Sequence, residues 1–404
     1  MLGDPLPAAH DYVVTSSRFR HVRIPHHRSF PYYAWLMVLT RIAAALAREA
    51  GKPFEIRELE LDEPRAREVR VRMVATGVCH TDALVRDQAI QVPLPAVLGH
   101  EGAGVVEAVG AGVTTVAPGD HVVLGFNSCG ACLQCRSGHP AYCSSFGALN
   151  FGGCRGDGST SLREGETAVS SHFFGQSSFA THANVAERSV VRVPKNAPLD
   201  LLGPLGCGLS TGAGTVLNVL KPDAGSSIVI FGTGAVGCSG LLASVVTGCS
   251  TIVMVDVVQG RLDRAIELGA THIVNGREED VAAAVKRITG GGARFALDTT
   301  GNKAVFRQMV DSLAVRGFAA LVGAAPEGTD ALVDIGTLLT RSPTVAGVIE
   351  GDAVPQIFIP LLIDLYESGR FPFDQLVEKY PFDSINEAFA DSASGRTLKP
   401  VVVF

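Results

Sequence analysis

Four cysteines within one short run constrain this chain most: Cys129-Gly-Ala-Cys132-Leu-Gln-Cys135, seven residues, then Cys143. Thiols packed so closely cannot all pair as disulfides without severe strain, but they can form a tetrahedral cage around one Zn²⁺. An iron–sulfur site of the ferredoxin type would need three residues before the last cysteine and a proline after it. Here seven residues intervene and Ser144 follows Cys143, so zinc is favoured. A closed four-thiolate site is structural, so the lobe 129–143 marks a zinc protein without yet defining an activity.

At 404 residues the chain is too long for one ordinary core, and two domains are expected. Hydrophobic residues make up 47% and charged residues 18%, which excludes a disordered chain. A net charge of −6 offers no basic surface for nucleic acid. Nine cysteines, most of them assignable to metal, point to a reducing cytoplasm.

Residues 1–37 differ from the rest and read as a non-conforming N-terminal extension. His21, His26 and His27 sit among Arg18, Arg20, Arg23 and Arg28, followed by an aromatic run ending at Trp35. Arg41 interrupts the apolar stretch 36–46, which is too short to span a membrane. Met37 is an alternative start, and Thr40-Arg-Ile-Ala-Ala-Ala reads as the first strand.

From there to about Pro204, short period-2 segments such as Val69–Val74 and Gly104–Val109 alternate with Gly and Pro turns, the pattern of a β-rich, barrel-like domain. It carries Cys79-His80-Thr81-Asp82 and Gly99-His100-Glu101-Gly102, and ends near Gly206-Cys207-Gly208. The pattern then changes. The apolar run Ser227-Ile-Val-Ile-Phe231 leads into Gly232-Thr-Gly234-Ala-Val-Gly237, a helical stretch to Thr247, and a second run ending in Asp256. A strand, a GxGxxG turn, a helix, a strand and an acid in that order form the whole dinucleotide fingerprint. Gly232 would make the turn, Gly234 admit the pyrophosphate at the helix N-terminus, and Gly237 allow close helix packing. Asp256 would bind the adenosine ribose and repel a 2′-phosphate, favouring NAD over NADP, with Arg261 near the same ribose. Further βα units at 269–274, 295–298 and 319–323 complete a doubly wound sheet.

These motifs, in this order and spacing, resemble the zinc-dependent medium-chain alcohol dehydrogenases over about Thr40 to Phe404. Asn150-Phe-Gly-Gly, Asp157-Gly-Ser and Gly347-Val-Ile-Glu-Gly-Asp352 look like the aryl (benzyl) branch. The resemblance implies an α/β protein. A GroES-like β-rich catalytic domain, 38–208 and 350–404, would enclose a Rossmann doubly wound parallel sheet at 209–349. The Cys₂His catalytic zinc set, for which alcohol dehydrogenase is the standing example, would fall on Cys79, His100 and Cys207. That zinc would act as a Lewis acid on the alcohol oxygen while hydride passes to NAD. Thr81 would relay the proton, Asp82 orient the His ligand, and Glu101 lie beside the metal without ligating it. His80 and Lys399 would meet the pyrophosphate; Thr211, Val236 and Val322 would belong to the cofactor site.

The resemblance implies two zincs and one NAD per chain, a small alcohol or aldehyde as substrate, no membrane, and a homo-oligomer, dimer or tetramer. Two departures matter. Leu84 stands where many relatives place the His that ends the proton relay, and Gly147 stands where glutathione-dependent formaldehyde dehydrogenases carry an Arg. The second argues against S-hydroxymethylglutathione. An aryl primary alcohol is the expected substrate, with allylic, terpenoid or linear alcohols as the alternative. A zinc-free quinone-reductase-like or structural member would lack the two complete ligand sets. Phe126, Phe146 and Phe151 are candidates for the substrate pocket. Cys154, Cys238 and Cys249 read as small buried hydrophobes, and His172 and His182 as loop or interface residues.

Overall fold

In the computed structural model residues 39–404 are described; the His-rich and aromatic stretch up to Met37 lies outside the described residues. These residues form three sheets. The first runs Ala96–Val97, Thr40–Ala47, Glu55–Leu61, Leu162–Glu164, Thr167–Val169. Its strand Thr40–Ala47 is alanine-rich because Ala44 to Ala47 are fully buried, and it pairs antiparallel with Glu55–Leu61.

In the second sheet Val190–Val193, His121–Leu124, Gly102–Val109 and Glu68–Gly77 pair in that order. Lys399–Val403 and Val377–Pro381 extend it, and His182–Ala186 joins Glu68–Gly77, so segments from both ends of the described chain build it. Gly104 is required there: a side chain would meet the Arg72 carbonyl at 2.2 Å.

The third sheet has six parallel strands ordered His272–Asn275, Thr251–Asp256, Ser227–Phe231, Ala293–Asp298, Leu313–Leu321, Thr344–Gly347. Its central strands are near-continuous Val, Ile and Phe because helices cover both faces. Numbered within the sheet this is the 3-2-1-4-5-6 order of dinucleotide-binding folds, whose ligands sit where the order reverses, beside Ser227–Phe231. The fold is therefore the expected pairing of a GroES-like domain with a Rossmann-type sheet.

Strand limits shift slightly from the expected segments. Gly269 is a left-handed loop residue (φ +107°) and the strand after it starts at His272, while Ala293 begins its strand before Phe295. The first sheet and its surroundings bury Leu46, Phe54, Phe126, Phe173, Phe179 and Phe389 in one apolar cluster, which reaches the side of His100.

Candidate active site

The short helix His80–Arg86 explains how one carboxylate organises the first cluster. Cys79 caps the helix, and Asp82 at its third position reaches back to accept the Cys79 N–H at 3.1 Å. The other oxygen of Asp82 accepts Gly99 N–H at 3.1 Å and pairs with His100 Nδ1 at 2.9 Å. Asp82 and His100 are both 0% exposed. A carboxylate on Nδ1 selects the tautomer that leaves Nε2 as a lone pair. His100 Nε2 is buried with no hydrogen-bond partner.

Around it converge the sulfurs of Cys79 and Cys207 and a carboxylate oxygen of Glu101, ligand atoms lying within 4.8 Å of one another. The bond from Cys207 holds the Cys79 thiol well below its usual value, against the effect of burial and with help from His100. Burial opposes charge on His100, but Asp82 and Cys79 outweigh it and raise its pKa. Two sulfurs and one unsatisfied imidazole nitrogen are a donor set that fits Zn²⁺.

Glu101 is held apart by a buried cation. Lys399 Nζ lies 2.7 Å from one carboxylate oxygen and 2.6 Å from the other, and also donates to the Val78 carbonyl at 3.0 Å. Gly208 N–H donates to Glu101 at 3.1 Å. Burial lifts Glu101 to about 7 against the pull of Lys399, while Lys399 is raised to about 12, its partner Glu101 outweighing burial. The position read in sequence as a pyrophosphate contact thus ties down the acid beside the cluster. Thr81 Oγ1 sits 3.7 Å from Cys79 Sγ, and Leu84 is half-buried on the same helix.

Three features were not visible in the sequence. Phe174 stacks on His100 (centroids 4.5 Å apart, 25° between planes) and Phe173 meets it edge-on at 5.3 Å. Phe151 and Phe146 pack against Phe174 and Phe126 against Phe146, so the expected aromatics join a wall that starts at His100. Glu350 lies 3.5 Å from Cys207 Sγ and is only 8% exposed; burial pushes it up to about 7. His172 lies in a loop, as read, but is buried there as a hydrogen-bond partner of Glu68 at 3.1 Å; Glu68 also holds Arg155 at 2.6 Å, and Arg155 pairs with Asp62 at 2.9 Å. A shared signal exists in the backbone: His172, Phe174, Glu350 and Asp352 all have positive φ without being glycine, a strained state that collects at functional sites.

The glycine turn 232–237 has the expected division of labour. Gly232 is left-handed (φ +92°), and a side chain at Gly237 would strike the Gly232 carbonyl at 1.8 Å. A Cβ on Gly234, which caps the helix Ala235–Val246, would meet nothing within 4 Å. Open backbone at a helix N-terminus fits a pyrophosphate. Asp256 accepts Thr233 N–H and O–H at 2.8 and 2.7 Å and Val257 and Val258 N–H at 2.7 and 3.0 Å. These bonds, led by Thr233, overcome burial and keep it ionised. It borders a cavity of about 360 Å³ with Gly232, Gly276 and Thr300.

Arg261 instead lies against Gly395 and shares no hydrogen bond with Asp256. Val236 approaches Gly208, placing the turn beside the Glu101–Lys399 pair. Thr211 donates its hydroxyl to the Cys207 carbonyl at 3.0 Å. Val322 is half-buried, its N–H on the Asp298 carbonyl at 2.9 Å, and His80 is exposed on its helix.

In the lobe 129–143 the four sulfurs lie within 4.8 Å of one another. Backbone N–H groups of Ala131 and Cys132 donate to Cys129 Sγ, and Cys129 and Ser145 N–H donate to Cys143 Sγ, at 3.2 to 3.4 Å. Such bonds favour thiolate, and Cys132 is lowered to about 5 mainly by the Cys135 and Ser144 N–H groups. The lobe docks through His139 to Asp352 (2.8 Å) and through the Tyr142 hydroxyl, which donates to the Gly347 carbonyl at 3.3 Å and accepts Ile349 N–H at 3.4 Å.

A parallel dinucleotide sheet, a Cys₂His cluster with Glu101 beside it and a Cys₄ lobe together define a zinc-binding dehydrogenase. The domain description "Alcohol dehydrogenase GroES-like domain" matches residues 65–195 and "Zinc-binding dehydrogenase" matches 235–368. Geraniol dehydrogenase of Castellaniella defragrans is 45% identical over 89% of this chain and 97% of its own. Benzyl alcohol dehydrogenase from Acinetobacter calcoaceticus is 50% identical, with a TM-score of 0.88, over 91% of this chain and 100% of that one. An alcohol dehydrogenase zinc-binding domain protein from Burkholderia ambifaria is 54% identical, with a TM-score of 0.89, over 91% and 99%. The chain therefore belongs to the zinc-dependent medium-chain alcohol dehydrogenases and is an NAD-dependent zinc enzyme of that class.

Proposed function

We propose that the chain oxidises an aryl primary alcohol to its aldehyde, reversibly, with NAD as the hydride acceptor. The aromatic wall running from His100 through Phe174, Phe151, Phe146 and Phe126 carries the aryl reading, because flat rings pack by stacking and edge contacts. The relative named for benzyl alcohol supports it. The relative named for geraniol supports a second reading, an allylic or terpenoid primary alcohol, which the same apolar wall suits.

Cys79, His100 and Cys207 would hold a zinc ion, which would supply a Lewis acid to make a bound alcohol more acidic. The chain's own residues do the rest. Asp82 fixes the His100 tautomer, the phenylalanines exclude water, and the Thr81 hydroxyl receives a proton and passes its own onward. Leu84 cannot accept it, so the relay either ends on another group or releases its proton more slowly. Cys129, Cys132, Cys135 and Cys143 would hold the second zinc through their sulfurs. Asp256 accounts for NAD over NADP, since its half-buried charge repels a 2′-phosphate and no Lys or Arg among the described residues pairs with it.

The same reading divides the described chain into 38–208 with 350–404 around 209–349. The exposed apolar residues Leu332, Ile335, Leu339 and Val345 beside the edge strand Thr344–Gly347 support a homo-oligomer. No helix among the described residues is long and apolar enough to cross a membrane. All nine cysteines are free of disulfides, which supports a cytoplasmic setting. Phe146→Ala tests the substrate reading: kcat/KM for benzyl alcohol should fall on the order of tenfold relative to ethanol. An unchanged ratio counts against the aromatic wall.

A further inference from the structure

The carboxylate of Glu350 comes to the metal cluster from a segment that zinc chemistry at Cys79, His100 and Cys207 does not need. Its Oε1 accepts the Cys207 thiol at 3.5 Å, and its Oε2 is buried with no hydrogen-bond partner. No Lys, Arg or His among the described residues hydrogen-bonds it. Lys399 is committed to Glu101 and His100 to Asp82. A buried carboxylate oxygen left without a hydrogen-bond partner is unfavourable. The cation whose donor set lies beside it is Zn²⁺, which Cys79, His100 and Cys207 fit.

The backbone that delivers Glu350 is held against its preference. Glu350, Gly351 and Asp352 run through left-handed angles of 50°, 65° and 47°. Asn218 donates to the Gly351 carbonyl at 3.0 Å, and any side chain at Gly214 would strike that carbonyl at 2.5 Å. On the other side His139 and Tyr142 of the four-cysteine lobe grip Asp352, Gly347 and Ile349. A strained turn clamped on both sides fixes where its one buried acid points.

We propose that Glu350 is the carboxylate ligand of the catalytic metal in the substrate-free enzyme, occupying the position that the alcohol later takes. Glu101, the acid next to His100, also lies within 4.8 Å of the other ligand atoms, but Lys399 and Gly208 N–H already engage its oxygens, which leaves Glu350 as the acid with a free one. Substrate entry would then release the Glu350 oxygen in favour of the alcohol oxygen, with no covalent bond or proton balance changed. This rests on the metal-site reading above.

The test is the visible spectrum of enzyme carrying Co²⁺ at the catalytic site and zinc in the lobe, for wild type, Glu350→Gln and Glu350→Ala. Without substrate, both variants should differ from wild type, and saturating imidazole, which takes the open position, should bring all three spectra together. Loss of catalytic Co²⁺ to 1,10-phenanthroline should be faster by about tenfold or more in the variants, the range seen when metal-site partners are removed. Retained lobe zinc shows that the variants are folded. Superimposable spectra and equal release in all three proteins would overturn the proposal. A chain that takes up no Co²⁺ at Cys79, His100 and Cys207 would overturn the metal-site reading, and the proposal with it.

Discussion

Replacing Asp82 by Asn should strip the enzyme of one zinc while leaving the other. Asp82 accepts three hydrogen bonds with two oxygens: from His100 Nδ1 and Gly99 N–H on one, and from Cys79 N–H on the other. Asn offers one oxygen. If that oxygen serves Cys79, the amide N–H₂ faces His100, turns Nδ1 into an acceptor and puts the proton on Nε2, the atom needed for metal. If it serves His100, the amide confronts the Cys79 N–H and disorders a ligand's backbone. Either way at least one charge-assisted bond of about 1.5–3 kcal/mol is lost in a site with no exposure to water. Removal of such supporting carboxylates lowers metal affinity about 10–100-fold. At about 1.4 kcal/mol per tenfold the two figures agree. Chelator competition followed by metal counting reads this directly, with the four-cysteine lobe as internal reference. Zinc should leave the Cys79, His100, Cys207 site at a chelator concentration at least ten times lower than in wild type, and leave the lobe unchanged. Equal affinity at the catalytic site would refute the reasoning.

Four further outcomes follow from the same geometry. Glu68 sits at about 2 through His172 and Arg155, which outweigh the burial that would raise it. A lowered carboxylate stabilises above its ordinary pKa near 4.5 and loses that contribution as pH falls toward 2, so Glu68→Gln should lower Tm at pH 7 and flatten the acid limb of a stability profile. An unchanged acid limb would contradict the assignment; the loss at neutral pH should be about 3–5 kcal/mol by denaturant melts. Asp256→Ser should raise kcat/KM with NADP relative to NAD by at least about tenfold, and an unaltered ratio would remove Asp256 from cofactor choice. Leu84→His should speed proton release, seen as a higher kcat at low pH with a smaller solvent isotope effect; identical profiles would show that Thr81 passes its proton without help there. Leu339→Lys should shift the mass in solution toward monomer, whereas a monomeric wild type would end the oligomer proposal.

Much of this architecture was legible because it is local in sequence. The Cys129–Cys143 spacing, the Gly232–Gly237 turn and the Cys79 to Asp82 run each encode their own geometry, and the structure brings Cys79, His100 and Cys207 together as read. Long-range partners were not legible. Glu350 reaches Cys207 across 143 positions, and Lys399 reaches Glu101 across 298. Phe173 and Phe174 carry no spacing signal, since only a strained left-handed turn brings their rings onto His100. Arg261 shows the converse: its position five residues after Asp256 suggested the ribose, yet packing against Gly395 takes its side chain elsewhere. Buried ion pairs such as Glu68 with Arg155 look in sequence like ordinary surface charges, and only the fold removes their water.

The most direct measurement is steady-state oxidation of benzyl alcohol, geraniol and ethanol with NAD⁺ and with NADP⁺, on enzyme whose zinc has been counted. The account predicts two zincs per chain and a kcat/KM that is highest for benzyl alcohol with NAD⁺. Full zinc with ethanol preferred, or with NADP⁺ preferred, would contradict it.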